Sequence, residues 1–304
     1  MALYHKYRPQ TLDEIIGNER TVEALNSLLK KDKCDNHAFL LTGLRGAGKT
    51  TTGRIIATML GCKGTDYKEI DSAEFRGVDT IRDIRRQANF KPLEGKCRVF
   101  LLDEIHQLTT TAMPSLLKAL EDPPEHVYYI LCTTDPQKLL GTIKDRCLQF
   151  KMNALADSEM QSLLKKVVKA EEETLDNEVY EVIIDNSEGS PRAALQILEK
   201  VLNVSPKNRL KLAKQTAELE SQSIEICRAL LKPTNWKQIA NLLKGMKDQN
   251  PDDIRRHIRY YCNSILLNGD MPQAYNILSE LEEPRWGMDW PSLTLSCYEI
   301  VNGE

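Results

Sequence analysis

Short apolar runs alternate with amphipathic stretches through the first half of the chain. Ala38–Thr42, Tyr67–Asp71, Arg98–Asp103, Val127–Thr133 and Leu148–Phe150 are too brief for buried helices and read as strands. Between them lie helical patterns at Gly48–Met59, Val78–Asn89 and Ala112–Leu120. Val78, Ile81, Ile84 and Ala88 form the inner face of the second, and Met113, Leu116, Leu117 and Leu120 follow the i, i+3, i+4, i+7 spacing in the third. Pro123-Pro124 ends that helix. Strand alternating with helix predicts an α/β domain with a five-stranded parallel sheet and crossover helices, over residues 1–152.

After about residue 152 the strand pattern stops and helix follows helix. Met160, Leu163, Leu164, Val167 and Val168 make one apolar stripe, with Asp157 or Ser158 as its expected cap. Val179, Val182 and Ile183 make the next, closed by Gly189; a third opens with Ser190 as cap and Pro191 in its first turn. Residues 153–204 therefore read as a small helical domain. Asn203–Asn208 reads as a linker, and residues 205–304 as an all-α domain of about five helices broken near Pro233, Pro251, Pro272 and Pro284.

Composition narrows the class without naming it. The 304 residues are 41% apolar and 28% charged, with no apolar run long enough to cross a membrane and no signal-peptide pattern at the N-terminus. The eight cysteines form no C-x-x-C pair and read as reduced intracellular thiols. A net charge of −3 argues against a generic basic nucleic-acid binder. The distribution is less even than the total. Residues 1–150 hold 22 basic and 20 acidic groups, leaving 19 and 24 for the remainder, and residues 76–98 hold seven basic groups against three acidic ones.

Candidate chemistry begins at Gly43-Leu44-Arg45-Gly46-Ala47-Gly48-Lys49-Thr50, which fits G-x-x-x-x-G-K-[ST] between a strand and a helix. Such glycines let backbone N–H groups wrap phosphates at a helix N-terminus, a lysine here reaches the β- and γ-phosphates, and the Thr50 hydroxyl takes Mg²⁺. Arg98–Asp103 ends in the carboxylates Asp103 and Glu104. An NTPase needs such acids on a neighbouring strand: Asp103 to support Mg²⁺, Glu104 to polarise the attacking water. His106 follows as a structural or relay group, and the scattered histidines and cysteines offer no zinc spacing.

Six stretches, in order, resemble the ATPase subunits of bacterial replication clamp loaders in the AAA+ superfamily, and among them the gamma/tau subunits of DNA polymerase III. They are Tyr7–Gly17, the phosphate loop, Asp103–His106, Leu117–Val127, Thr133–Leu139 and Asp145–Phe150, with Gly189–Leu195 closing a likeness that spans residues 4–200. The resemblance implies an adenine pocket formed by Tyr4, His5, Lys6, Tyr7, Arg8, Pro9 and Ile16, phosphate contacts that run on through Thr51, a first sensor at Thr134 and a second at Arg192. It also implies that Arg146 serves as an arginine finger in a neighbouring subunit's site. Two departures stand out. Asp145 replaces the serine before that arginine, which sets an acid beside the finger. Leu60–Asp66 runs directly toward the next strand, without the family's four-cysteine zinc module, so no structural zinc is expected and the chain resembles a compact, phage-like form.

The same resemblance implies primer–template DNA, a sliding clamp and other clamp-loader subunits in a five-subunit hetero-oligomer as partners, in the cytoplasm. Arg76, Gly77, Thr80 and Arg82, at the opening of the arginine-rich helix, are candidate DNA contacts, with a solvated basic face as the other reading; Thr109–Thr111 is a second candidate. Phe90 and Leu93 are candidate clamp anchors or, equally, core residues. Tyr260, Tyr261, Trp286 and Trp290 belong to a subunit interface in the collar that residues 205–304 would form, or to its core. The expected activity is ATP hydrolysis coupled to clamp opening and DNA grip. The rivals are a related DNA-translocating or branch-migration motor and a scaffold that binds nucleotide without turnover.

Overall fold

Each of the five apolar runs forms a strand: β1 (Ala38–Gly43), β2 (Tyr67–Asp71), β3 (Arg98–Asp103), β4 (Val127–Thr133) and β5 (Leu148–Met152). The computed structural model describes residues 2–30, 34–232, 235–247, 250–268, 271–282 and 289–302, without the side chains of 215–224, 253, 260, 264, 267, 268 and 282. The strands are all parallel, in the order β2-β3-β4-β1-β5. All seven residues of β4 and the first four of β1 are buried, as a sheet covered on both faces requires.

Nine helices of the described residues accompany the sheet: α1 (Leu3–Lys6), α2 (Glu19–Leu29), α3 (Lys49–Met59), α4 (Val78–Ala88), α5 (Ala112–Glu121), α6 (Gly141–Asp145), α7 (Asp157–Ala170), α8 (Asn177–Asp185) and α9 (Pro191–Leu202). Strand alternation splits the core in two. Leu40, Leu102 and Tyr129 meet Ile81 and Ile84 of α4 and Leu116 of α5 on one face. Phe39, Leu41, Leu101 and Ile130 meet Leu25 of α2 and Ile56 of α3 on the other. Each such Leu or Ile contributes about 1.5–3 kcal/mol by leaving water. In register, Leu102 pairs with Leu131 and Thr42 with Thr133. The carboxyl ends of β3, β4 and β1 therefore lie side by side, where open α/β sheets bind ligands.

Two local expectations need correction. The cap of α7 is Ala156, not Asp157 or Ser158, because the Glu159 carboxylate three residues on accepts the Ala156 N–H at 2.8 Å and anchors the turn. The break at 203–208 is only three residues long, since Pro206 opens the next helix, a first-turn position where its missing N–H costs nothing. Ser190 does cap α9, its hydroxyl accepting the Ala193 N–H at 3.3 Å.

The chain folds as two compact units, residues 1–206 and 207–304. The second unit holds α10 (Pro206–Leu230, whose first residue precedes the division), α11 (Trp236–Gly245), α12 (Pro251–Asn268), α13 (Pro272–Glu282) and α14 (Trp290–Asn302). Ile226, Ile239, Ile258, Ile277 and Leu293 form its core, with Tyr261 and Trp290 packed against it; Pro233, Pro284, Trp286 and the Tyr260 side chain lie outside the described residues. Seven cysteines are buried, Cys147 is half-buried, and all eight are thiols. Among the described residues, no helix is long and apolar enough to cross a membrane.

Candidate active site

The phosphate loop turns from β1 into α3 through backbone that only glycine adopts easily: Gly46 has φ +78° and Gly48 φ +93°. At Gly46 a Cβ would also collide with Ser190 Oγ, so glycine is what allows the start of α9 to approach the loop. Lys49 is only 5% exposed, and its Nζ donates to the Gly43 and Leu44 carbonyls, both at 3.0 Å. Burial lowers its pKa, opposed by the nearby Glu104 and Asp103 carboxylates. Thr50 Oγ1 donates to Asp103 Oδ2 at 2.5 Å, while burial raises the Asp103 pKa. Hydroxyl and carboxylate together offer the adjacent hard oxygen donors that Mg²⁺ takes alongside phosphate, so these residues fit that ion.

Glu104, just past β3, has φ +47°, an uncommon conformation for a side-chain-bearing residue. Its Oε2 accepts from the Thr134 N–H at 3.1 Å and the Thr134 hydroxyl at 3.0 Å, which ties β3 to the end of β4. His106 Nδ1 lies 3.3 Å from the same oxygen.

A cleft of about 520 Å³ brings most of the expected residues together. Tyr4, Lys6, Tyr7, Arg8, Pro9 and Ile16 line one side; Arg45 to Thr51, Asp103, Glu104 and Arg192 line the other parts. Its size lies within the ordinary range for a small-molecule site. The Arg192 guanidinium carbon stands 5.0 Å from the Tyr4 ring centroid, a cation–π contact. Glu171, at the end of α7, receives the Tyr7 hydroxyl at 2.5 Å and Lys6 Nζ at 2.7 Å. Five residues named in the sequence lie outside the cleft lining. His5 is exposed with its ring 4.2 Å from that of Tyr4; Leu44 is exposed, Gly43 is at the strand end, and Thr134 bonds Glu104.

Arg146 is the fifth. It follows α6, donating to Glu121 Oε1 at 2.8 Å and to the Thr142 carbonyl at 3.1 Å. The acid beside it is thus Glu121 of α5, not the adjacent Asp145. An apolar wall of Ile15, Leu155, Leu163, Val167 and Leu195, together with Lys166, also lines the cleft and was not foreseen from the sequence. The only signal was the stripe at 160–168, whose Leu163 and Val167 face the cleft as well as packing their helix.

Arg76 and Gly77 are exposed at the opening of α4, Thr80 is half-buried, and Arg82 pairs with Asp79 at 2.9 Å. Phe90 and Leu93 are 61% and 80% exposed, which removes the core reading for both. Their loop is held from beneath by Asp66, whose carboxylate accepts the N–H groups of Leu93, Glu94 and Gly95 and pairs with Arg98. Between α3 and β2 the chain passes through residues 60–63 and one 3-10 turn, Gly64–Asp66.

A family model described as DNA polymerase III, delta subunit matches residues 65–156. The DNA polymerase III subunit gamma of Buchnera aphidicola subsp. Schizaphis graminum is 37% identical over 303 residues, 90% of this chain and 82% of that protein. The chain belongs to the gamma/tau family of DNA polymerase III subunits. The Bacillus subtilis tau subunit of that family is 30% identical over 92% of this chain, and the chain spans 54% of its length. For the Mycobacterium tuberculosis gamma/tau subunit the span is 39%. Among solved structures, the Thermotoga maritima RuvB Holliday junction branch migration motor has a TM-score of 0.62 at 21% identity, covering 78% of this chain and 85% of that one. A gamma subunit-related protein from the same organism has 0.52 at 17%, covering 92% and 97%. These likenesses bear on the fold, which is that of AAA+ ATPases.

Proposed function

We propose that this gamma/tau family member hydrolyses ATP as a subunit of a replication clamp loader. The observation that carries the reading is the gathering of Lys49, the Thr50–Asp103 pair and the Thr134-bound Glu104 around one cleft, in a chain of this family. In it, the loop N–H groups of Arg45 to Thr51 hold the phosphates, and Lys49 turns from its loop carbonyls to the β- and γ-oxygens. Tyr4, Lys6, Tyr7, Arg8, Pro9, Ile16 and the apolar wall hold the adenine. Thr50 and Asp103 hold Mg²⁺, which neutralises phosphate charge when bound. Glu104 orients the attacking water and takes its proton as the general base, Thr134 senses the γ-phosphate through Glu104, and Arg192 leaves Tyr4 to reach the same group. Water adds to the γ-phosphorus, the bond to the β-phosphate oxygen breaks, and ADP and phosphate leave.

Arg146 would act in the site of a neighbouring subunit, exchanging Glu121 for the transferring phosphoryl group; supplied in trans, such a cation makes hydrolysis report on assembly. Residues 153–204 would serve as the lid and 205–304 as the collar of a five-subunit hetero-oligomer in the cytoplasm. ATP binding would assemble a spiral that opens a sliding clamp through Phe90 and Leu93 and grips primer–template through Arg76, Gly77, Thr80 and Arg82; hydrolysis would release the clamp onto DNA. Structural zinc has no part in this reading, since the connection over 60–66 carries a single cysteine.

The test is the ATPase rate of the chain with its partner subunits, alone, with primer–template, and with primer–template plus clamp. Synergistic stimulation by the last pair is expected. A low rate unchanged by either addition favours the nucleotide-binding scaffold, and strand displacement without any clamp favours the translocating motor.

A further inference from the structure

His106 has no part in the reading just given, yet its side chain is only 8% exposed and stands against the carboxylate proposed as the base. A buried imidazole must spend both nitrogens on partners. Nε2 lies 3.0 Å from Gln107 Nε2, an amide nitrogen that can only donate. Nε2 is therefore the acceptor, and the ring proton sits on Nδ1. Nδ1 bonds Thr133 Oγ1 at 3.0 Å, and Glu104 Oε2 stands against the same nitrogen at 3.3 Å.

Two donors of Thr134 and the His106 imidazole edge thus close in on Glu104 Oε2. Oε1 receives none among the described residues and is the oxygen left to take up a proton from water. The left-handed backbone at Glu104 makes side-chain anchors all the more necessary, because such conformations persist only where their surroundings over-determine them.

Resting on Glu104 as the base proposed above, we infer that His106 is a positioning residue for it, held in one tautomer by Gln107. The imidazole does not touch nucleotide. It fixes the rotation of the Glu104 carboxylate so that Oε1 meets the attacking water. Phosphoryl transfer leaves the protein little covalent work beyond positioning and charge stabilisation, so a loosened base should slow turnover and spare binding.

The isosteric pair His106→Asn and His106→Leu tests this in the full chain with its partner subunits, clamp and primer–template. Asn keeps an N–H near the place of Nδ1–H, and Leu removes it. The expected result is a kcat about 10- to 100-fold lower for H106L, with H106N within a few-fold of the parent. KM for ATP, and the Kd of a fluorescent ATP analogue, should stay within about two-fold in both. Gln107→Leu, which frees the tautomer, should fall between. Parental kcat in H106L, equal slowing of H106N and H106L, or a loss shared with nucleotide affinity would each overturn the inference. Glu104→Gln separates the two levels: a fast E104Q removes the base reading and this inference with it, whereas a slow E104Q beside a fast H106L removes the inference alone.

Discussion

Asp66 shows how much one carboxylate can organise. Burial by itself would raise its pKa, but the N–H groups of Gly95, Glu94 and Leu93 and the charge of Arg98 favour the ionised form and bring it down to about 2. A folded-state value below the ordinary carboxylate range means that the stabilisation is present above about pH 4 and is lost as pH falls toward 2. Asp66→Ala leaves three loop donors and a mostly buried guanidinium without their acceptor, a loss of about 3–5 kcal/mol. Urea denaturation checks both points. The stability gap between parent and D66A should be wide at pH 7 and should narrow as pH falls from about 4 toward 2.

Among the elements, α4 carries the sharpest expectation. Arg82 and Asp79 are both largely exposed, so their pair is worth only about 0.2–0.5 kcal/mol and exchanges readily for a phosphate. If Arg76 and Arg82 each meet one phosphate, replacing both with alanine should lower the slope of log affinity against log salt by about 2, measured by primer–template binding of the assembled loader. Elements of this kind were plain in the sequence. Strands β3 and β4 fall on their expected residues because a parallel strand buried on both faces reads as a continuous apolar run. The phosphate loop was plain because its chemistry is local. Three features were not. Glu121 and Arg146 are 25 residues apart, and no periodicity links them. Leu163 and Val167 belong to a stripe that looks the same whether it faces a core or a cleft. Phe90 and Leu93 read equally as core or surface, because part of what shapes their loop is the Asp66 carboxylate, 27 residues before Leu93.

At the scale of the whole molecule, the charge of −3 conceals the basic segment at 76–98, and a lone subunit should hold DNA weakly. The buried thiols carry a further consequence. Cys34, Cys62, Cys97 and Cys132 lie in residues 1–206, and Cys227, Cys262 and Cys297 in residues 207–304, so each unit with its own core encloses its own set. A buried thiol meets an alkylating reagent only when the structure around it opens, and its modification rate reads the free energy of that opening. Pulsed alkylation followed by peptide mass spectrometry should therefore time the two units separately within one sample. ATP at about 100 times its Kd should slow the first set up to roughly 100-fold wherever opening abolishes nucleotide binding, while the second set keeps its pace if its unit opens independently. The cysteines thus work as internal clocks, and comparing the two sets measures how far nucleotide binding in one unit steadies the other, with no label added to the chain.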